Sequence, residues 1–302
     1  MADAIASQLE DSEKPVIAFV SPHAPEAASV LTQYGIPSYV QPENCAAALD
    51  GMRRATMRGP IEEGTTRSTG TVDVSDLPSG SLNEAEAKTL FSRFGISCVR
   101  GRIVDTHEEA IDAAQQFGPR VALKVLSSEI THKSDAGGVA LNVTESDIAS
   151  RMEAMRREFE SKSGIAPKQF LVQEMIAGVE LILGLRHDHL GTAILLGSGG
   201  VTAELINDMV LRMLPERGSL SQEQATEMIR ALKCFPLLDG YRGRPKADVP
   251  ALADAICAFS QMAALLGARL SEAEINPLFV LPAGTGVRAA DGVAVLGKSG
   301  ET

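Results

Sequence analysis

The chain has 302 residues, 44% hydrophobic and 22% charged, a globular balance that argues against a disordered or membrane-embedded polypeptide and suits two domains. Its net charge of −11 argues against a nucleic-acid or anionic-membrane surface, since both need a basic face to displace counterions. An anionic ligand therefore needs locally gathered cations, each contributing up to roughly 4 kcal/mol at contact distance and intermediate dielectric. Lys124, His132, Lys133, Arg212 and Arg242 are the candidates.

The N-terminus has no basic segment followed by an apolar core, and no run of about 18 apolar residues is evident, so a cytoplasmic protein is expected. Cys45, Cys98, Cys234 and Cys257 are far apart with no C-x-x-C pair, which suggests neither zinc nor disulfides. Residues 15–20 predict a buried strand, 25–34 a helix, 36–40 a strand and 42–54 a helix begun by Pro-Glu-Asn. This βαβα segment is too small to cover its own sheet, so further strands must come from a longer chain or a partner. Residues 57–81, rich in Gly, Thr, Ser and Pro without a hydrophobic period, predict a linker between a part at 1–56 and a second at 82–302.

Past the linker, Asn83 and Glu86 form a capping-box pattern ahead of a helix whose stripe is Ala87, Leu90, Phe91 and Phe94, ended by Gly95. A strand is expected at 96–99. Thr106 and Glu109 repeat the pattern before Ala110, Ile111, Ala114 and Phe117, with Gly118 as the stop. Residues 121–139 then carry the strongest signal, an apolar strand bearing Lys124 that runs into the basic loop His132-Lys133-Ser-Asp-Ala and closes on Gly137-Gly138. A polyphosphate suits such a segment, because the lysine offers a compact ammonium and the glycines let backbone N–H groups approach bound oxygens. An edge strand followed by a polar turn would use the same residues.

Residues 170–176 and 177–185 read as two adjacent strands whose linking segment could hold a flat purine by backbone hydrogen bonds, with Glu180 suited to ribose hydroxyls. A hairpin with a surface glutamate is the alternative. Gly197-Ser-Gly-Gly200 lacks the spacing of a phosphate loop and alone is weak. In Leu270-Ser-Glu-Ala-Glu-Ile-Asn-Pro, strand alternation places Glu272, Glu274 and Asn276 on one face, an oxygen-rich row of the kind Mg2+ accepts. A turn centred between Ala283 and Gly284 would set Asn276 opposite Asp291, whereas a centre half a residue later would set it opposite Gly292. His187-Asp-His189 has metal-like spacing without an evident third ligand, and His107 is expected to be exposed in a helix's first turn.

The order of these motifs, strand-Lys124, His132-Lys133-Ser-Asp-Ala-Gly-Gly-Val, Gln173-Glu174-Met-Ile-Ala-Gly-Val-Glu180, Gly197-Ser-Gly-Gly-Val, Asp239-Gly-Tyr-Arg-Gly and Glu274-Ile-Asn-Pro-Leu, resembles the ATP-grasp domain of nucleoside-diphosphate-forming acyl-CoA synthetases, over roughly residues 82–297. Residues 15–55 look like the last strands and helices of the flavodoxin-like subdomain that precedes it in single-chain members. The resemblance implies an α/β protein, an ATP-grasp fold preceded by a partial flavodoxin-like βαβα segment, that uses ATP/ADP and Mg2+. It implies the reaction acid + CoA + ATP = acyl-CoA + ADP + phosphate, with a carboxylic acid and CoA as substrates, a CoA-binding subunit or further N-terminal domains as partner, and an oligomer.

By the same resemblance Lys124 and Arg242 with Gly137 and Gly138 would contact the nucleotide. Gln173, Glu174, Met175 and Ile176 would form the adenine hinge and Glu180 would hold the ribose. Asn276 and Asp291 would ligate Mg2+ with Glu274 in support. His132, assisted by Lys133, would accept phosphate from an incoming phosphohistidine, or else only hydrogen-bond it. A non-catalytic module of the same fold and an ATP-grasp ligase that does not use CoA are the alternatives.

Overall fold

The computed structural model describes residues 14–22, 24–57, 72–126, 137–200, 207–215 and 218–297, and the chain divides into two units, 1–62 and 63–302. In the first unit, β1 (Ala18–Phe19) and β2 (Ser38–Tyr39) pair in parallel, and α1 (Pro25–Gln33) and α2 (Pro42–Met57) each begin on a proline whose missing N–H costs nothing there. The βαβα order is as expected, but each strand has two residues, and Val16 to Val20 is not buried. Two strands cannot cover one another's faces, so Phe19 stays 50% and Val40 54% exposed, and among the described residues of this unit the buried hydrophobic side chains are Leu31 and Ile36.

The second unit holds two antiparallel sheets. The smaller has the order β4 (Gly101–Val104), β7 (Gln169–Glu174), β5 (Val121–Leu126), β6 (Val139–Val143). Two helices, α4 (His107–Phe117) and α5 (Ile148–Ser163), cover one of its faces. Val121, Leu123 and Val125 of β5 and Phe170 and Val172 of β7 point there and join Ala110, Ala114, Met152 and Phe159 in one core. Strand alternation therefore sends Lys124 and Gln173 to the opposite face.

The larger sheet runs β10 (Met209–Met213), β9 (Gly191–Ser198), β8 (Val179–Asp188), β11 (Leu270–Val280), β13 (Gly292–Leu296), β3 (Gly80–Leu82), with β12 (Val287–Ala289) also on β11. Its core packs beneath α3 (Glu84–Arg93), α6 (Gln222–Ala231) and α8 (Val249–Leu266), where the Phe91 and Phe259 rings lie 6.0 Å apart. The stretch Val249–Arg269 is long and apolar enough to cross a membrane, contrary to the sequence expectation. Leu252, Ile256, Phe259 and Met262 are enclosed in this core, the setting of a central helix.

Both capping boxes form, Asn83 with Glu86 at α3 and Thr106 with Glu109 at α4. The strand expected at 96–99 is reduced to a single bridge between Cys98 and Ala289. At the end of the expected linker, Val72, Val74 and Leu77 pack against the larger core. Arg269 donates to Val74 O and Leu77 O there, and Arg93 holds Asp76 in two hydrogen bonds. Strands β7 and β8 are neighbours in sequence but lie in different sheets, so residues 175–178 cross from one sheet to the other and no hairpin forms.

Candidate nucleotide site

The junction of the two sheets is organised by a residue that pattern reading passed over. Asn83 Oδ1 accepts from Ala85 N and Glu86 N and starts α3 so that Glu84 is its first residue. The spacing 84, 87, 88, 91 then aligns Glu84 and Lys88 with the buried Ala87 and Phe91, leaving the two charged residues 1% and 8% exposed. Glu84 Oε1 accepts from Lys88 Nζ at 2.8 Å, Lys124 Nζ at 2.9 Å and Gln173 Nε2 at 2.7 Å. Lys124 Nζ also donates to Asp291 Oδ2 at 2.9 Å and Ala290 O at 3.0 Å. One cluster thus joins β5 and β7 of the small sheet to α3 and the turn before β13.

Burial alone would push the Glu84 carboxyl up, but the Lys124 and Lys88 ammonium groups outweigh it and bring it down to about 2. For Lys124 burial works against the charge and is outweighed by Glu84 and Asp291, so its pKa lies above the ordinary lysine value. Lys88 goes the other way, because burial dominates over a single carboxylate that it shares with a second ammonium. Glu84 Oε2 is enclosed and, among the described residues, has no hydrogen-bond partner.

Strand β11 sets Ile275 against Gly292 of β13 and Leu278 against Ala289 of β12, and Asn276 N donates to Asp291 O at 3.2 Å, the first of the two alternatives read from the turn. Gly292 N caps Asp291 Oδ1 at 2.8 Å. Asn276 Nδ2 donates to Glu274 Oε1 at 3.2 Å, which leaves the amide oxygen as a possible ligand. Among the described residues no three His, Cys, Asp or Glu side chains converge. Two carboxylates and an amide on one face are hard oxygen donors, and they fit Mg2+, which keeps several waters and phosphate oxygens of its own.

The hinge residues follow. Gln173 is enclosed, while both oxygens of Glu174 are held by Arg100, by its backbone N–H at 2.8 Å and its Nε at 2.7 Å. Met175 is exposed and Ile176 half-buried where the chain crosses between sheets. Glu180 is exposed on β8, its carbonyl accepting from Gly199 N at 2.8 Å, and a Cβ on Gly200 would come within 3.1 Å of Glu180 Oε2, so the glycine stretch lies beside Glu180. Gly137 has φ +76°, and a Cβ there would collide with Glu158 at 2.6 Å. Gly138 O accepts from Val125 N beside Lys124.

Other candidates go elsewhere. Arg242 is exposed over the Tyr241 ring, 5.3 Å from its centroid, and among the described residues no hydrogen bond or ion pair links it to the Lys124 cluster. Arg212 is paired with Glu227 at 2.6 Å. His187 meets Thr192 in the β8–β9 hairpin, with His189 in its two-residue turn. His132 and Lys133 lie outside the described residues.

A family model described as an ATP-grasp domain matches residues 74–296. The β subunit of acetate–CoA ligase [ADP-forming] I of Pyrococcus furiosus is 34% identical over 66% of this chain and 85% of its own length. The single-chain acetate–CoA ligase [ADP-forming] I of Archaeoglobus fulgidus is 30% identical over 87% of this chain. The match spans only 39% of that ligase.

Among solved structures, the dinucleotide-forming acetyl-coenzyme A synthetase 1 of Ca. Korarchaeum cryptofilum superposes in several forms. The complex with coenzyme A and Ca-AMPCP has TM-score 0.65 and 30% identity, covering 82% of this chain and 98% of that one. The complex with coenzyme A and Mg-AMPPCP, whose phosphohistidine segment points towards the nucleotide binding site, has TM-score 0.59 and 32% identity, covering 72% and 93%. The chain therefore belongs to the ATP-grasp family, in the branch that contains the β subunits of ADP-forming acetate–CoA ligases.

Proposed function

We propose that this chain is the nucleotide-binding and phosphoryl-transfer part of an ADP-forming acyl-CoA synthetase, acting with a CoA-binding subunit or domain in the reaction acid + CoA + ATP = acyl-CoA + ADP + phosphate. The observation that carries this reading is the buried Lys124 ammonium, directed away from its own sheet's core and held between Glu84 and Asp291. A lysine enclosed on an apolar strand is costly to keep charged, and these two carboxylates maintain it where an anion would need it. The relatives' names support the acyl-CoA ligase activity. The coenzyme A and AMPPCP bound by the Korarchaeum synthetase support the ligands.

In this reading Lys124 and the backbone of Gly137 and Gly138 engage phosphate oxygens. The backbone of residues 173–176 takes the adenine edge, and Glu180 accepts from ribose hydroxyls. Glu274, Asn276 and Asp291 would hold Mg2+, which when bound offsets phosphate charge. His132 is the phosphate acceptor: a neutral imidazole attacks the phosphorus of a partner's phosphohistidine, the P–N bond there breaks, and the phosphoryl group then passes from His132 to ADP. Lys133 balances charge during that transfer. Residues 1–56 belong to the CoA-ligase side of the assembly, which fits their uncovered sheet.

Calorimetric titration of the purified chain with Mg·ADP, beside Lys124→Ala and Asn276→Ala, tests the site. Binding that weakens at least about tenfold in Lys124→Ala is expected from loss of a charge-assisted contact. Equal affinity in all three proteins would remove Lys124 and Asn276 from it.

A further inference from the structure

The Lys124 ammonium has three N–H donors, and its three acceptors, Glu84 Oε1, Asp291 Oδ2 and Ala290 O, lie at 2.9, 2.9 and 3.0 Å. A phosphate oxygen can therefore reach Lys124 only by displacing one of them. Glu84 cannot leave, because the same oxygen binds Lys88 and Gln173 in an enclosed setting. Ala290 O is backbone, fixed by the neighbouring pairing of Ala290 N with Pro277 O at 3.0 Å. The Asp291 side chain is 33% exposed and stands on the polar face with Glu274 and Asn276. It is the partner that can move.

Charge decides what must follow. Among the described residues, Lys88 and Lys124 are paired with Glu84 and Asp291. A phosphate that takes over Lys124 releases the Asp291 carboxylate from that ammonium, on the strand face it shares with Glu274 and Asn276, where a divalent cation can take the ammonium's place. Resting on the nucleotide-site reading above, we infer that Asp291 has two successive partners, Lys124 in the ligand-free protein and the divalent cation in the nucleotide complex, while Glu84 keeps Lys124 in place through the exchange. Phosphate and cation are then coupled through a shared carboxylate in addition to their direct contact, and each raises the affinity for the other. Glu84 is a positioning residue in this scheme and touches no ligand.

The exchange predicts opposite signs for one substitution. ADP is titrated calorimetrically into the full chain, once in EDTA and once in excess Mg2+, for wild type, Asp291→Asn and Glu274→Gln. Asp291→Asn weakens the competitor for the ammonium, so metal-free ADP should bind about threefold more tightly than to wild type, the size that a partly exposed ion pair supports. Its gain from Mg2+ should fall at least about tenfold. Glu274→Gln, which has no contact with Lys124, should lose part of the Mg2+ gain without tightening metal-free ADP. Should Asp291→Asn unfold early, Asp291→Ser makes the same comparison. Unchanged or weaker metal-free binding in a folded Asp291 variant overturns the exchange and leaves the nucleotide site standing. A wild-type protein that binds ADP in neither condition overturns the nucleotide site and the exchange together.

Discussion

The Glu84 carboxylate and the Lys124 ammonium, 40 residues apart in the chain, meet at 2.9 Å in a setting that excludes solvent from both. Removing one partner of such a pair leaves the other charge buried, which typically costs about 3–5 kcal/mol. Glu84→Gln keeps the shape and one acceptor but strands two lysines beside Asp291. Urea unfolding should show a loss in that range, and a loss below about 1 kcal/mol would show that the cluster does not depend on this charge.

The same carboxylate makes the protein sensitive to acid. Its folded pKa of about 2 is below the ordinary value of about 4.3, so the unfolded chain binds the extra proton, and the stability it contributes is complete above that ordinary value. As pH falls from about 5 towards 2 roughly 3 kcal/mol should be lost, at 1.36 kcal/mol per unit. Glu84→Gln lacks that slope. The stability gap between the two proteins should therefore narrow over this window, and a constant gap would contradict the depressed pKa.

At alkaline pH the two lysines oppose one another. Lys124 has a raised folded pKa, so its contribution is complete below about 10.4 and declines as pH rises through the folded value. Lys88 is lowered, so stability recovers as pH rises from its folded pKa through about 10.4. Lys88→Met removes the recovering limb. Melting temperatures between about pH 9 and 11 should fall more steeply in Lys88→Met than in wild type, whereas parallel curves would mean that Lys88 is not held down.

Much of this site was legible because its parts repeat local rules. Lys124 stood out as a lysine in an apolar strand, and the turn at Ala283-Gly284 narrowed the hairpin to two registers, of which the strand pairing takes the one that sets Asn276 opposite Asp291. Glu84 and Lys88 were hidden by a correct reading. The capping box named Asn83 and Glu86, and charged residues at 84 and 88 pass as surface unless their alignment with Ala87 and Phe91 is noticed. The hairpin alternative for residues 170–185 failed for a different reason. Adjacent strands in sequence usually pair, and nothing local in Met175-Ile-Ala-Gly tells that the chain passes into another sheet. Strand lengths in residues 15–40 were overestimated because apolar runs predict a burial that two strands cannot supply.

That sheet-to-sheet passage ends on Gly178, where a Cβ would lie 2.6 Å from Val280 O and 3.1 Å from Val280 C. Both are backbone atoms of β11, and the next residue, Val179, is already paired with Val280, so neither strand can yield without breaking register. Gly178→Ala should therefore cost about 1–3 kcal/mol as an overpacked contact. It should also weaken ADP binding, because a displaced start of β8 moves residues 173–176 relative to Lys124. Gly184 on the same strand is the control. Its Cβ would meet Ala273 O at an ordinary 3.8 Å, so Gly184→Ala should stay within about 0.5 kcal/mol of wild type. Urea midpoints and ADP affinities of the two variants separate the cases. Equal, small effects would show that the close approach at Gly178 does not constrain the crossing, and a stability loss in Gly178→Ala without a loss of affinity would detach the crossing from the nucleotide site.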